Sequence, residues 1–259
     1  MNKLLLIISS IILLILFTFS AYAQNSNVSK VSSTELTVDL SYYYYEETVN
    51  NGFFMSDESN PLFISVGLRK WYEDHKIEDG VRFMYTLDAT YGQTAYVGSG
   101  TATKDYYKGR LEGYVGYKIN NVTPFIGYGY RRLLDNSGIL GGGFYNRLSQ
   151  YWYVPLGITF KASDKANMKI QYNYWITGRQ ISYFTGRVSG FYDTTNTQSS
   201  GGGADISYDH KIDENRTFYT FVRYWEVMDS DWVKCGGSYI CQEPYNETTE
   251  IGIGMALNF

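Results

Sequence analysis

The sequence predicts an all-β chain, a transmembrane antiparallel up-and-down β-barrel of ten strands. Three observations carry that expectation. Apolar and polar side chains alternate in stretch after stretch, and the links between the stretches take two lengths that follow one another in turn. The mean hydropathy is negative although the chain holds 27 Tyr, 14 Phe and 5 Trp. Successive side chains of a strand point to opposite faces. In a barrel wall one face meets lipid and the other the interior, so only every second residue needs to be apolar. Tyrosine excess fits the two membrane–water boundaries, where amphipathic rings gather.

The expected strands follow in order. Residues 35–46 put Leu36, Val38, Leu40, Tyr42 and Tyr44 on one face, and residues 62–71 do so with Leu62, Ile64, Val66 and Leu68. Residues 81–91 align Val81, Phe83, Tyr85, Leu87 and Ala89, and residues 107–119 align Leu111, Val115 and Tyr117. Residues 124–134 carry Ile126, Tyr128 and Tyr130; residues 151–161 carry Trp152, Val154, Leu156, Ile158 and Phe160. Residues 168–178 follow with Ile170, Tyr172, Tyr174 and Ile176. Residues 203–212 give the weakest pattern, only Ala204, Ile206 and Tyr208, and residues 216–227 have no settled parity. The tenth stretch ends the chain, with Ile251, Ile253, Met255, Leu257 and Phe259 opposite Gly252, Gly254, Ala256 and Asn258.

The links 72–80, 120–123, 162–167 and 213–215 are short; 47–61, 92–106, 135–150, 179–202 and 228–249 are long and rich in Gly, Ser, Asn and Thr. The runs Gly141-Gly142-Gly143 and Gly201-Gly202-Gly203 read as flexible loop, since a phosphate-cradling loop would need a following helix. Segregated link lengths, an even strand count and a last strand ending on an aromatic resemble the outer-membrane β-barrels of Gram-negative-type bacteria. The resemblance spans residues 24–259 at the level of architecture. It implies that Phe259 is a C-terminal signal for the barrel-assembly machinery and that lipid and lipopolysaccharide surround the wall. It also implies periplasmic termini and extracellular long links.

The other end of the chain agrees. Lys3, the apolar run 4–19 and Ala21-Tyr22-Ala23 form the three-part pattern of a secretory signal peptide over residues 1–23, leaving 24–259 as one barrel domain. That run is short of the roughly 20 residues a spanning helix needs. Export leads to an oxidising compartment, so Cys235 and Cys241 are expected to staple a small loop by a disulfide. No histidine lies near them to build a metal site, and neither a metal nor a cofactor is expected. A net charge of −4 without a basic arm sets nucleic acid aside as a partner.

The opposite parity is expected to line the lumen. It carries Arg69, Arg82, Lys108, Arg110, Lys118, Arg131, Lys169 and Arg223 against Asp39, Asp88, Glu112, Asp205, Asp209 and Glu250. Buried charges need partners, so this lining should cross-link itself. Tyr43, Phe63, Tyr114, Tyr151, Tyr153 and Trp175 share it. Eight strands enclose a filled barrel and sixteen an aqueous channel. Ten strands with this lining argue against a wide pore and leave a narrow one open.

No catalytic residue is expected. Asp229-Ser230-Asp231 resembles the Asp-x-Asp element of the omptins, outer-membrane proteases that set it against an Asp-x-His element, but here the second element is missing. His75 and His210 both fall at or near short links, a barrel's length from those aspartates and outside hydrogen-bond reach. Neither has a serine placed for the Ser–His chemistry of lipid-modifying barrels. The run Tyr42–Tyr45 reads as an aromatic girdle, and Glu46-Glu47 after it as a weak cation site. The function expected is non-enzymatic: a barrel anchoring extracellular loops for adhesion, contact with an unnamed extracellular ligand, or envelope integrity. A narrow porin-like channel is the alternative, and a surface hydrolase using Asp229 and Asp231 is a third reading.

Overall fold

The computed structural model describes residues 30–74, 80–140 and 143–258. The expected signal peptide, His75 and Phe259 lie outside the described residues. Fourteen strands follow in chain order. They are β1 Lys30–Val49, β2 Gly52–Ser59, β3 Phe63–Asp74, β4 Gly80–Val97, β5 Thr101–Lys118, β6 Val122–Asp135 and β7 Asn146–Ser163. Then come β8 Ala166–Tyr183, β9 Thr194–Gln198, β10 Gly201–Lys211, β11 Arg216–Val227, β12 Val233–Gly236, β13 Tyr239–Cys241 and β14 Tyr245–Asn258.

Ten staves close a single antiparallel barrel. β2 and β3 together fill one position, both pairing with β1 on one side and β4 on the other. β10 pairs with β8 and β11, and β9 extends its position along the upper part of β8. The seam forms where β14 runs antiparallel to β1, from Glu35 opposite Asn258 to Thr48 opposite Tyr245. Each stave is thus paired on both sides, and such closure is what lets a sheet cross hydrocarbon.

Burial follows the alternation. Thr37, Asp39, Ser41 and Tyr43 face in and are buried, whereas Val38, Leu40 and Tyr42 between them face out and are exposed. The outward belt continues through Val66, Leu87, Val115, Ile126, Ile158, Ile170, Val222 and Ile253. In water so large an apolar patch would drive aggregation; in lipid it is already solvated. The unsettled parity of residues 216–227 resolves with Tyr219, Phe221, Trp225 and Val227 buried inside and Val222 out.

Three expectations need correction. The long links are partly wall: β1 runs on to Val49 and returns as β2 through Asn50 and Asn51, both at positive φ (51° and 62°). Two consecutive left-handed residues make the turn that best matches strand twist, and asparagine tolerates it. Gly201-Gly202-Gly203 is strand rather than flexible loop. A Cβ on Gly203 would come within 2.7 Å of the Trp225 indole, so the missing side chain is what lets that ring lie flat across the strand. Finally, only half of Tyr42–Tyr45 belongs to the girdle. Tyr43 and Tyr45 are buried in the lumen, and Glu46 and Glu47 point to opposite sides, so they form no joint cation site.

One irregularity shapes the interior. Trp152 and Tyr153 pair with Thr177 and Trp175, so β8 carries an extra residue, Ile176, at this point. The bulge switches parity: Gln171, Asn173 and Trp175 face inward below it, Gly178, Gln180 and Ser182 above it. All three upper residues then face the space beneath the long links.

Candidate functional site

The lumen is filled in layers between the end with short turns and the end with long links. Nearest the short turns is a cavity of about 470 Å³ whose lining includes Arg69, Arg82, Asp88, Lys118 and Lys169. Arg69 pairs with Asp209 at 3.4 Å and lies 4.4 Å over the Tyr219 ring, whose hydroxyl donates to Asp39 at 2.9 Å. Asp88 occupies space left by Gly67, where a Cβ would lie 2.2 Å from its carboxylate oxygen.

Above this sits an ionic knot. The Arg110 guanidinium binds Glu112 at 2.6 Å and also Asp205. Tyr153 donates to Glu112 at 2.9 Å, Gln171 donates to Glu112 at 2.9 Å and to Asp205 at 3.1 Å, and Tyr114 closes the Glu112 shell. Lys169 donates to Gln171 at 3.1 Å. Beside the knot, Lys108 and Ser41 hold Glu250 at 2.6 and 2.7 Å, with Arg223 at 3.8 Å. Charges in such a place are tolerable only when bonded on several sides, as these are.

An aromatic layer caps the knot. Tyr43, Phe63 and Tyr106 cluster with ring centroids 4.9 to 5.9 Å apart, and Tyr43 and Phe63 have no exposed surface. Across the lumen Tyr151, Tyr153, Trp175 and Trp225 form the other half, with Arg131 lying 4.9 Å over Trp225. The residues lining the cavity below share none with those lining the cavity above.

That upper cavity, about 500 Å³, draws on all five long links: Met55, Ser99, Phe144, Phe184 and Trp232 each come from a different one. Its floor is a second ionic network. Arg147 reaches Glu47, Glu243 at 3.2 Å and Asp135 at 3.4 Å. Lys104 bridges Asp135 at 2.6 Å and Asp57 at 2.9 Å. Burial, with the Glu47 charge alongside, pushes the Glu243 carboxyl up to about 8.

The part of the fifth long link that precedes β14, residues 228–244, is tied down at several points. The Cys235–Cys241 disulfide closes the β12–β13 hairpin. The Tyr192 amide donates to the Cys235 carbonyl at 2.9 Å, and Tyr239 stacks on Phe191 at 5.1 Å. Asp229 and Asp231, the omptin-like pair, serve as backbone anchors. Asp229 accepts from the Tyr245 amide at 2.5 Å and Asp231 from the Thr197 amide at 2.6 Å. His210 faces outward beside Tyr208, 3.3 Å from its hydroxyl, near the short-turn end.

Of the residues expected in the lumen, Arg69 meets Asp209, Lys108 meets Glu250, and Arg110 meets Glu112 and Asp205, while Arg82 and Lys118 line the lower cavity. The sequence placed none of Glu47, Asp57, Lys104, Asp135, Arg147 and Glu243 in a lumen network, although it marked Glu47 as a weak cation ligand beside Glu46. A signal existed for three of them: Glu47 continues the inward parity of Tyr43 and Tyr45, Lys104 that of Lys108, and Arg147 that of Tyr151.

No family profile and no curated protein matches the sequence. Among solved structures the chain is similar to the outer membrane protease OmpT from Escherichia coli, at 8% identity over 90% of this chain and 98% of that one, TM-score 0.49. It is also similar to Neisserial surface protein A (13% identity, 88% and 99% covered, TM-score 0.36) and to the Ralstonia pickettii toluene transporter TbuX (10%, 88% and 88%, 0.40). These are likenesses of fold. With its outward apolar belt and closed antiparallel wall, the chain has the ten-stranded architecture of a membrane β-barrel.

Proposed function

We propose that this barrel is a non-conducting membrane anchor whose five long links form a ligand-contacting cup on the cell surface. One observation carries the reading: a single cavity takes walls from all five links and stands over a lumen filled by rings and paired charges. Loops are where a rigid scaffold places its binding residues. In this reading residues 1–23 are removed on export, the termini face the periplasm, and lipopolysaccharide surrounds the belt. A narrow channel would need a path through the Tyr43–Phe63–Tyr106 cluster and the Arg110 knot. A hydrolase would need Asp229 and Asp231 free for substrate, and both are occupied by backbone amides.

Single-cysteine labelling tests the orientation. A membrane-impermeant maleimide added to intact cells is expected to label Thr185→Cys in a long link and to leave Asn215→Cys in a short turn unlabelled. Labelling of Asn215→Cys alone would contradict the reading.

A further inference from the structure

Building on the cup reading above, we propose that the cup binds a small organic cation, an ammonium ion carrying an aryl group. The ammonium would sit on the Glu243 and Glu47 carboxylates and the ring against Phe144, Phe184 and Trp232. The charge of the ligand follows from the floor. Glu47, Asp57, Asp135 and Glu243 are four carboxylates, each buried, and among the described residues Lys104 and Arg147 are the two cations paired with them. Arg147 is divided among three of the four. Beside Glu243 the buried Gln180 amide accepts from the Ser149 hydroxyl at 2.6 Å and lies against the Glu243 carboxyl.

The ligand's apolar part follows from the walls. Phe144, Phe184 and Trp232 come from three separate links, with Tyr96 and Phe54 nearby, and Trp232 keeps 62% of its surface exposed. Aromatic walls over an anionic floor are the surroundings an organic cation prefers. A bare metal ion fits less well, because the Arg147 guanidinium stands among the carboxylates it would need.

The groups facing Glu243 are Glu47 from β1, Asp135 from β6 and Arg147 from β7, with Gln180 from β8 and the phenols of Tyr45 and Tyr145 near it. With its carboxyl at about 8, Glu243 holds a proton at neutral pH. A bound ammonium ion replaces that proton, so binding releases it to solvent and tightens as pH rises.

Isothermal titration calorimetry of the refolded full-length barrel in detergent, with phenethylamine as probe, tests this. Saturable binding is expected, about eightfold tighter at about pH 8.5 than at about pH 7, as the ionised share of Glu243 grows. The uncharged analogue 2-phenylethanol should give no saturable heat. Glu243→Gln should weaken phenethylamine binding roughly tenfold and remove its pH dependence. Phe144→Ala leaves the carboxylates in place and should weaken binding while keeping the pH dependence. Equal binding of amine and alcohol, full affinity in Glu243→Gln, or no saturable heat with the unaltered protein overturns the proposal. The labelling experiment reads orientation alone, so the cup could fail this test and still face outward.

Discussion

The Arg110 guanidinium is flanked by two carboxylates, and the neighbours of those carboxylates are Tyr114, Tyr153, Gln171 and Asn173. Removing the cation leaves Glu112 and Asp205, both almost fully buried, facing each other. Breaking a buried pair by deleting one partner costs about 3–5 kcal/mol. Arg110→Met is therefore expected to lower the urea midpoint of the folded barrel by an amount of that order, followed by tryptophan fluorescence. The triple variant Arg110→Met/Glu112→Gln/Asp205→Asn should recover much of the loss, and an unchanged midpoint in the single variant would contradict the assignment. Parity placed Arg110, Glu112 and Asp205 inside from sequence alone, because a period of two is a local property. Their pairing was not legible, since it depends on β5 and β10 facing each other across the lumen.

The long links were read as flexible because Gly, Ser and Asn are common in them, yet β2, β9 and the β12–β13 hairpin lie there. Glycine in this wall answers to ring packing, as at Gly203 under Trp225 and at Gly129, where a Cβ would be 2.2 Å from the Tyr153 ring. Composition cannot distinguish that use from flexibility. The same misreading hid the upper ionic floor, whose members lie beyond the strand ends expected from sequence. The disulfide was legible, because two cysteines six residues apart in a chain expected to be exported have few other uses.

Two expectations belong to the fifth link. Reducing the disulfide should speed amide exchange across residues 233–241 while leaving the barrel staves protected, measured by hydrogen exchange. Protection of 228–244 should also fall as pH rises from about 5 to about 8. The carboxyl of Glu243 sits at about 8 in the folded protein, above its ordinary 4.5. Its stabilising proton is fully held below the ordinary value and is lost as pH climbs through the raised one. After correction for intrinsic exchange, Glu243→Gln should flatten that dependence; an unaltered slope would show that another group sets it.

At the scale of the whole molecule, ten strands enclose a lumen wide enough to conduct only if its side chains stand aside. Here they do not: seven rings from six staves meet at one level, an Arg-centred knot lies beneath them, and the two cavities on either side have no lining residue in common. In the proposed function the scaffold separates its tasks, with the belt fixing the protein in lipid, the filled lumen holding the wall rigid, and the links left to meet what arrives from outside. Closure of the lumen is the claim on which this division rests. Single-channel recording of the purified protein in planar bilayers tests it most directly. The structure predicts no reproducible unitary conductance at either polarity, whereas Tyr153→Ala/Trp225→Ala/Arg110→Ala, which empties one side of the lumen, should introduce one. Discrete, reproducible conductance from the unaltered barrel would contradict the account.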